Sequence, residues 1–404
     1  MSHASVARQP IFNRELEVIG YELLFREPAT IHADVSDHEN ATTRVVLNTL
    51  TEIGLEQLVG TTFAWINVTR EFLLSGLVTM LPPTRVGLEI LEDQRVDETL
   101  VEAVVALREQ GYRFALDDFR LGTGADELID HAEVVKLDLI ALGRAGLTEH
   151  VRALRGHDVE LLVEKVESHE EHAFARGLGC ERFQGFFYRR PELLSRRRID
   201  AGRTSLMRLL VTLLEPDVSL EQITREVAHD VGLSVRLLRY INSAYVGLSN
   251  EISSIGQAVT LLGPVNLRRW ATLSAFMGLD RKGAELTRTA LVRARFCELS
   301  GGGQDADAPQ RFTLGLFSVI DALTDTPLRD ALRPVPFPEE MRAALVHHTG
   351  PMGDLLGAVV ALEEGAFAAA ESLSPACGDV YLEALAWADG VMASLDEHEA
   401  PVTA

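Results

Sequence analysis

The sequence is poor in cysteine and in positive charge. Its three cysteines, Cys180, Cys297 and Cys377, stand far apart, which argues against a disulfide framework and favours a cytoplasmic protein. Lysine and arginine total 38 residues against 60 aspartates and glutamates, a formal net charge of -22. That charge repels DNA, RNA and anionic lipid surfaces, so we expect no nucleic-acid partner and no membrane partner. A small anionic ligand held through metal ions remains compatible with it.

Long apolar runs are also missing. The longest candidates, near 206–214 and 355–370, are interrupted by Arg208, Glu363 and Glu364, so neither is expected to span a bilayer. The N-terminus lacks the apolar segment of a signal peptide, and no secretion signal is expected. The chain does have 404 residues with 47% hydrophobic and 24% charged content, enough for two or three globular domains.

The first half of the chain alternates between β-rich runs and helical periods. Such alternation is typical of parallel strands joined by helices, and the number of units predicts an α/β fold of the (β/α)8-type, TIM-like barrel. The predicted strands are 18–25, 62–68, 86–90, 112–116, 134–137, 160–163 and 182–186. The predicted helices are 41–53, 98–110, 125–131, 148–155 and 168–177. We assign 1–195 to this domain and 196–203, with its three consecutive arginines, to a linker.

Beyond residue 203 strand signals nearly vanish, which predicts an all-α bundle over 204–404. The predicted helices are 206–214, 220–230, 234–242, 255–262, 266–277, 285–299, 311–323, 338–346, 353–370 and 380–395. The pairs His229-Asp230 and His347-His348 lie in this half. Neither is surrounded by further metal-ligating residues, so we interpret both as ordinary surface or core positions.

Polar side chains stand at or near the ends of the predicted barrel strands. They are Glu22, Asn67, Glu89, Asp117, Asp118, Lys136, Glu164 and Gln184. In a barrel of this type the ends of the strands meet at one mouth, where reactive groups sit. We therefore expect these side chains to point at a common site.

The adjacent acids Asp117 and Asp118 allow two interpretations. One is an exposed loop in which one acid caps the next helix. The other is a metal site, since neighbouring carboxylates repel each other and are costly to desolvate. The matching strand ends favour the metal site, and their oxygen donors suit magnesium or manganese. Two ions about 3.5–4 Å apart are the apparatus for phosphodiester hydrolysis, with a lysine to hold water and a glutamate to take its proton.

Residues 6–191 resemble the EAL domain, a family of cyclic di-GMP phosphodiesterases and receptors. The resemblance rests on motifs that follow one another in the family's order. They are Glu22-x-Leu24-x-Arg26, Asn67, Glu89 with Glu92, Asp117-Asp118, Lys136-x-Asp138, Glu164 with Glu167, and Gln184-Gly185-Phe186.

The resemblance implies a role for each matched residue. One Mg²⁺ or Mn²⁺ ion would be held by Glu22, Asn67, Glu89 and Asp117, and Glu164 is a further metal ligand. A second would be held by Asp117 and Asp118. Catalytic roles fall to Lys136, Glu164 and Glu167, and the product would be the linear dinucleotide pGpG. Contacts with the bound ligand fall to Arg26, Leu24, Gln184 and Asp138. Glu92 would support the loop that follows the aspartate pair.

Two departures from the family pattern bear most directly on the site. Arg120, Leu121 and Gly122 follow Phe119 where the family has a loop two residues shorter. Lys165 stands where the family has glycine, directly after Glu164. That lysine either faces solvent or neutralises part of the metal site.

Residues 204–395 resemble the HDOD domain, a helical relative of metal-dependent phosphohydrolases without their catalytic residues. The resemblance rests on several segments, of which 241–245 (Ile-Asn-Ser-Ala-Tyr) and 252–259 (Ile-Ser-Ser-Ile-Gly-Gln-Ala-Val) are the most specific. It implies an output module for an unidentified protein partner. The resemblance of the first half to the EAL domain implies a possible homodimer. Two functions stay open: an enzyme that hydrolyses cyclic di-GMP, and a receptor that binds it and relays occupancy through the helical half.

Overall fold

The structure is a computed structural model. It describes residues 5–26, 54–190, 209–214, 218–229, 237, 241, 254–277, 284–300, 307–335 and 337–396. The helix predicted at 41–53, the linker at 196–203 and most of the helix predicted at 234–242 lie outside the described residues. The domain boundaries placed at 195 and 204 therefore stay predictions.

Eight strands close into a barrel in chain order. They are β1 Ser5–Phe12, β2 Val18–Arg26, β3 Phe63–Val68, β4 Val86–Ile90, β5 Arg113–Leu116, β6 Val134–Asp138, β7 Glu160–Glu164 and β8 Arg182–Gln184. The strands from β2 to β8 pair in parallel. The predicted (β/α)8-type barrel is thus confirmed.

The first strand corrects the expectation of a wholly parallel sheet. β1 was not predicted, and it runs antiparallel to both β2 and β8. Only a short turn separates it from β2, closed by a hydrogen bond of 3.0 Å from the Asn13 amide to the Glu17 carbonyl. The Asn13 side chain also accepts hydrogen bonds from the amides of Glu15 and Glu17. So short a connection joins antiparallel strands, because a parallel crossover needs a dozen or more residues.

The helices of the barrel are α1 Leu55–Val59, α2 Arg70–Leu74, α3 Glu98–Glu109, α4 Leu139–Leu154 and α5 His169–Leu178. The helix predicted at 125–131 is a 3-10 helix, Ala125–His131. The barrel interior is filled by large side chains, Trp65 among them. A Cβ on Gly87 of the neighbouring strand would lie 2.5 Å from the Trp65 ring. Glycine at 87 is therefore what lets this indole fill the barrel.

Every described element beyond residue 208 is helical, which confirms the all-α second half. The elements are α6 Leu220–His229, α7 Ile255–Met277, α8 Ala284–Ser300, α9 Ala308–Phe317, α10 Ile320–Thr324, α11 Leu328–Ala331, α12 Glu339–His347, α13 Gly350–Glu363, α14 Phe367–Leu373 and α15 Cys377–Asp396. None of the helices among the described residues is both long and apolar enough to cross a membrane.

Glycines set two helix boundaries and one close helix contact in this half. The break predicted between 262 and 266 is present, because Gly263 at φ 71° interrupts α7 just before Pro264. The single helix predicted at 353–370 is wrong, because Gly365 at φ 74° separates α13 from α14. Gly315 of α9 packs backbone to backbone on α8, since a Cβ there would lie 2.3 Å from the Arg293 carbonyl oxygen.

The chain forms two compact units. One contains Met1–Arg190 together with Gly357–Leu385, and the other contains Pro191–Leu356 with Ala386–Ala404. Within the first unit, Arg189 forms an ion pair with Glu363, and both side chains are about nine-tenths buried. Gly357–Leu385 is thus packed on the barrel's edge near the end of β8.

Candidate active site

Strand register brings the polar strand ends to one mouth of the barrel. Asn67 at the end of β3 lies opposite Glu89 of β4, and Asp138 at the end of β6 lies opposite Glu164 at the end of β7. Glu89 is fully buried. Because parallel strands share a direction, residues at equivalent positions face the same opening. The strand register therefore brings these predicted site residues together.

Lys136 is the centre of this cluster and is only 1% exposed. Its Nζ lies 2.7 Å from Asp117 Oδ1, 2.8 Å from Glu89 Oε2, 2.8 Å from Glu164 Oε1 and 3.2 Å from Glu22 Oε2. One ammonium thus faces four carboxyl groups. A single positive charge cannot balance them all in a buried setting, so the cluster favours additional cations or protons.

Amide side chains orient the Glu22 carboxylate. Asn67 Nδ2 donates to Glu22 Oε1 at 3.0 Å, and Gln184 Nε2 donates to Glu22 Oε2 at 2.7 Å. Gln184 Nε2 also reaches Gln9 Oε1 at 3.0 Å, and Gln9 Nε2 donates to the Glu363 carbonyl at 3.3 Å. A continuous hydrogen-bonded chain therefore runs from Glu22 to residue 363.

The charges of the cluster shift two pKa values in opposite directions. Burial alone would raise the pKa of Glu22, but the charge of Lys136 and the hydrogen bonds from Gln184 and Asn67 lower it below its usual value. Burial alone would lower the pKa of Lys136, but the carboxylates around it, Glu164 foremost, raise it well above its usual value. Lys136 is therefore a permanent cation of the site.

Two other carboxyl groups hold their protons more tightly than usual. Burial, with the charge of Glu22, raises the pKa of Glu89 well above its usual value. Burial raises the pKa of Glu164 to about 8, against the opposing charge of Lys136. A carboxyl group with a pKa near neutrality is suited to exchange protons during a reaction.

The donor set fits a hard divalent cation. Four buried oxygens of the mouth have no hydrogen-bond donor: Asn67 Oδ1, Glu89 Oε1, Asp118 Oδ1 and Gln184 Oε1. Unsatisfied buried acceptors are costly, and a metal ion satisfies such oxygens. Carboxylate and amide oxygens without thiolates or imidazoles match magnesium or manganese rather than zinc.

The carboxylates are turned toward Lys136. Within the described ranges, no group of three or more His, Cys, Asp or Glu side chains is arranged to chelate a metal. The Lys136 ammonium occupies the point that the four acids surround. Tight binding of a cation therefore requires some of these side chains to rotate away from the ammonium.

A second cation sits beside Asp118. Lys165 forms an ion pair with Asp138, and its Nζ lies 4.0 Å from Asp118 Oδ1. Both Asp118 at φ 42° and Lys165 at φ 54° are in the left-handed region. That conformation costs about 1–2 kcal/mol for a residue other than glycine. Of the two alternatives for Lys165, the structure shows the one in which it neutralises acids of the mouth.

The loop after Asp118 is held by its own hydrogen bonds. Asp126 accepts hydrogen bonds from the amides of Gly122 and Gly124. The amide of Leu121 donates to His150 Nε2 at 3.2 Å. The longer loop is therefore a defined structure anchored on α4.

Some predicted site residues lie apart from the cluster. Glu167 is exposed and pairs with Arg190 at 3.5 Å, and Glu92 lies in the exposed turn after β4. Leu24 is half-buried, and a Cβ on Gly365 would lie 2.8 Å from its Cδ1. Arg26 ends β2, but its side chain lies outside the described part of the chain.

Two residues of the site's surroundings were missed. Gln9 was missed because β1 was not predicted. A glutamine within the mostly apolar run from Val6 to Phe12 could have indicated a buried polar contact. His150 was missed because nothing in its local sequence connects it with a loop 29 residues earlier.

Comparison with known proteins identifies the two halves. The EAL domain model matches residues 69–191, and the HDOD domain model matches residues 203–300. The uncharacterized protein YuxH of Bacillus subtilis is 31% identical over 402 residues, covering 96% of this chain and 98% of that protein. The cyclic di-GMP phosphodiesterase CdgJ of Vibrio cholerae is 33% identical over 357 residues, covering 87% of this chain and 83% of that protein.

A solved structure resembles the barrel half. It is BlrP1 of Klebsiella pneumoniae in a complex with manganese and cyclic di-GMP, 22% identical, with a TM-score of 0.38. The match covers 46% of this chain and 55% of that one. Both relatives align with most of this chain, and this chain itself matches the EAL model followed by the HDOD model. The chain belongs to the family of proteins that join an EAL domain to an HDOD domain.

Proposed function

We propose that the barrel hydrolyses cyclic di-GMP to pGpG in a reaction that requires two divalent metal ions. The name of the relative CdgJ, a cyclic di-GMP phosphodiesterase, supports the substrate. The observation that carries the proposal is the set of four buried oxygens without donors at a mouth where four carboxyl groups face one ammonium. Such a site favours additional positive charge, which divalent ions would supply.

The proposed metal ligands follow from the donor atoms of the mouth. Glu22, Asn67, Glu89 and Asp117 would hold one Mg²⁺ or Mn²⁺ ion, and Asp117 with Asp118 would hold the second. Glu164 is a further candidate ligand of the first. Ions held here would supply a nucleophile at neutral pH and Lewis-acid stabilisation of the phosphodiester oxygens.

The chain's own residues supply positioning and proton transfer. Lys136 remains charged and donates hydrogen bonds, so it can orient the attacking water and stabilise developing negative charge. Burial raises the pKa of Glu164 to about 8. The positive charge of bound ions would lower that pKa into the range in which the carboxylate accepts a proton near neutral pH. Glu167 lies at the rim of the mouth, so a catalytic role would require it to leave Arg190.

Ligand contacts are proposed for the residues that match the family's ligand-binding motifs. Arg26 is expected to meet a phosphate, and Leu24 and Gln184 are expected to line the site. Asp138 is a less available contact than the motif suggests, because one oxygen caps α4 through the Ala141 amide and the other pairs with Lys165.

The experiment uses the full chain with cyclic di-GMP and separates products by chromatography. We expect pGpG with Mg²⁺ or Mn²⁺, none after chelation with EDTA, and inhibition by Ca²⁺, whose larger and looser shell suits catalysis poorly. Asp117→Asn should abolish turnover. The matched control is Glu170→Gln, which neutralises a carboxylate that is 78% exposed on α5 and should leave turnover unchanged. Full activity of Asp117→Asn would refute the ligand assignment.

A receptor function is the second candidate, and one observation favours it. The hydrogen-bonded chain from Glu22 through Gln184 and Gln9 ends on the carbonyl of Glu363. A ligand or metal that repositions Glu22 would therefore disturb Gly357–Leu385, a part of the predicted helical output module. Saturable binding of cyclic di-GMP without pGpG would select this function, and absence of both binding and hydrolysis would refute both.

The helical half is proposed to serve an unidentified protein partner. No DNA or RNA partner is proposed, because the net charge of -22 disfavours polyanions.

A further inference from the structure

Lys165 is placed where the second metal ion is proposed to bind. It follows Glu164, the last residue of β7, and its side chain reaches Asp138 and Asp118 across the mouth. Lysine is scarce in this chain: the only three are Lys136, Lys165 and Lys282. Two of the three lysines thus lie at this one mouth, although most of the chain's acidic residues lie elsewhere.

The conformation of Lys165 is specific. Its φ of 54° is a left-handed value, which lysine adopts only when surrounding interactions compensate for the cost. The ion pair with Asp138 is such an interaction. Asp138 is itself fixed, because its other oxygen accepts the Ala141 amide at 2.9 Å as the N-cap of α4. The ammonium is therefore aimed at the acids of the mouth.

The contact with Asp118 is loose where the contact with Asp138 is tight. Asp118 Oδ1 is buried without a hydrogen-bond donor, and the ammonium stands 4.0 Å from it, beyond hydrogen-bonding distance. Burial raises the pKa of Asp118, and the charge of Lys165 opposes that rise. Lys165 thus places a positive charge near Asp118, but it leaves Asp118 Oδ1 without a hydrogen bond and available to a ligand.

We propose that Lys165 is a resident cation that competes with the second divalent ion for the acids around Asp118. This inference rests on the proposed function, in which Asp117 and Asp118 hold that ion. Without the second ion, the ammonium supplies one positive charge beside Asp118. When the ion binds, Lys165 turns into solvent, which its side chain already meets at 52% exposure. The affinity for the second ion is therefore lowered while the affinity for the first is not. Turnover then requires a higher concentration of free metal.

The test is a titration of the metal-depleted full chain with Mn²⁺ in 0.15 M salt, where free Mn²⁺ is counted by electron paramagnetic resonance. We expect wild type to bind one ion tightly and a second weakly. Lys165→Met keeps the length and the strained backbone but removes the charge, and it should tighten the second ion about tenfold with the first nearly unchanged. A unit charge at 4 Å in a solvent-exposed setting is worth roughly that factor.

Two further variants make the result decisive. Lys165→Gly relieves the left-handed backbone, so it should fold at least as well as wild type and should show the same tightening. Arg120→Met removes another cation, exposed and two residues past Asp118, and should leave both steps within about twofold of wild type, since salt screens exposed charges.

The outcomes separate the two proposals. Two Mn²⁺ ions bound with the same stepwise affinities in wild type and in both Lys165 variants would overturn the inference and leave the metal-dependent function intact. Equal tightening in Arg120→Met would also overturn it, because the effect would then be one of overall charge. Absence of Mn²⁺ binding in all four proteins would overturn the proposed function itself.

Discussion

Removal of the Lys136 charge should make the metal-free barrel strongly dependent on pH and on divalent metal. The change is Lys136→Met, which keeps the length and apolar stem of the side chain. In the folded protein this ammonium lies within 3.2 Å of four carboxyl oxygens and is 1% exposed. The variant leaves those acids buried without their shared partner.

The expected size follows from the cost of an unpaired buried charge. Breaking a buried ion pair by removing one partner costs about 3–5 kcal/mol. We expect the free energy of unfolding of the barrel to fall by that amount at pH 8 in EDTA. Mg²⁺ or Mn²⁺ should restore most of the loss, because an ion that binds only the folded state stabilises it by mass action.

Protons should substitute for the missing charge at lower pH. The pKa of Glu164 is about 8 in the folded protein against 4.5 as its ordinary value, and the pKa of Glu89 is also raised. Groups with raised pKa values stabilise the fold below pH 4.5 and lose that contribution as pH rises through the folded value. Without Lys136 these pKa values rise further, so the deficit of the variant should shrink by about 1.4 kcal/mol per pH unit for each extra proton bound.

The assay is urea unfolding at pH 8 and at pH 5.5, followed by fluorescence of Trp65 with Trp270 and Trp387 replaced by phenylalanine. Trp65 reports on the barrel because it lies in the barrel core. Lys165→Met is the comparison variant. It removes a lysine of the same mouth whose side chain is half-exposed, and loss of the ion pair that offsets its left-handed backbone should cost only about 1–2 kcal/mol. A Lys136→Met deficit that is small, or equal at both pH values, would refute the arrangement of charges described for this mouth.

Three other outcomes are expected. His172 stacks on the Phe187 ring, and burial lowers its pKa to about 4. Its contribution to stability is therefore present above pH 6.5 and lost as pH falls toward 4. In urea unfolding, His172→Phe should reduce the loss of unfolding free energy between pH 7 and pH 4 by about 3 kcal/mol. Gly185→Ala should lower the free energy of unfolding by more than about 3 kcal/mol, because a Cβ at φ 142° would meet the Val166 carbonyl oxygen at 2.2 Å; an unchanged melting temperature would contradict this. Glu363→Gln should lower barrel stability by about 3 kcal/mol by leaving Arg189 buried with a weakened partner, whereas Glu364→Gln at the neighbouring exposed position should change it by under about 0.5 kcal/mol.

Much of the fold was predictable because its signals are local. Seven of the eight strands alternate or run apolar between turn residues, and those patterns are read within a few residues. The exception was β1, whose Arg8, Gln9 and Pro10 interrupt the apolar pattern. Arg8 is nevertheless 6% exposed, and its guanidinium lies over the Tyr21 ring, a contact that exists only after the hairpin has formed.

The sequence by itself determined which residues stand at strand ends, and therefore that Glu22, Glu89, Asp117 and Glu164 share one mouth. Tertiary structure alone decided that Lys136 lies at their centre. Its contacts with Glu89 and Glu22 join residues 47 and 114 positions apart, and they depend on barrel closure and strand register rather than on local pattern. The direction of Lys165 was equally hidden, because it follows from a left-handed backbone angle that the acids of the folded mouth stabilise.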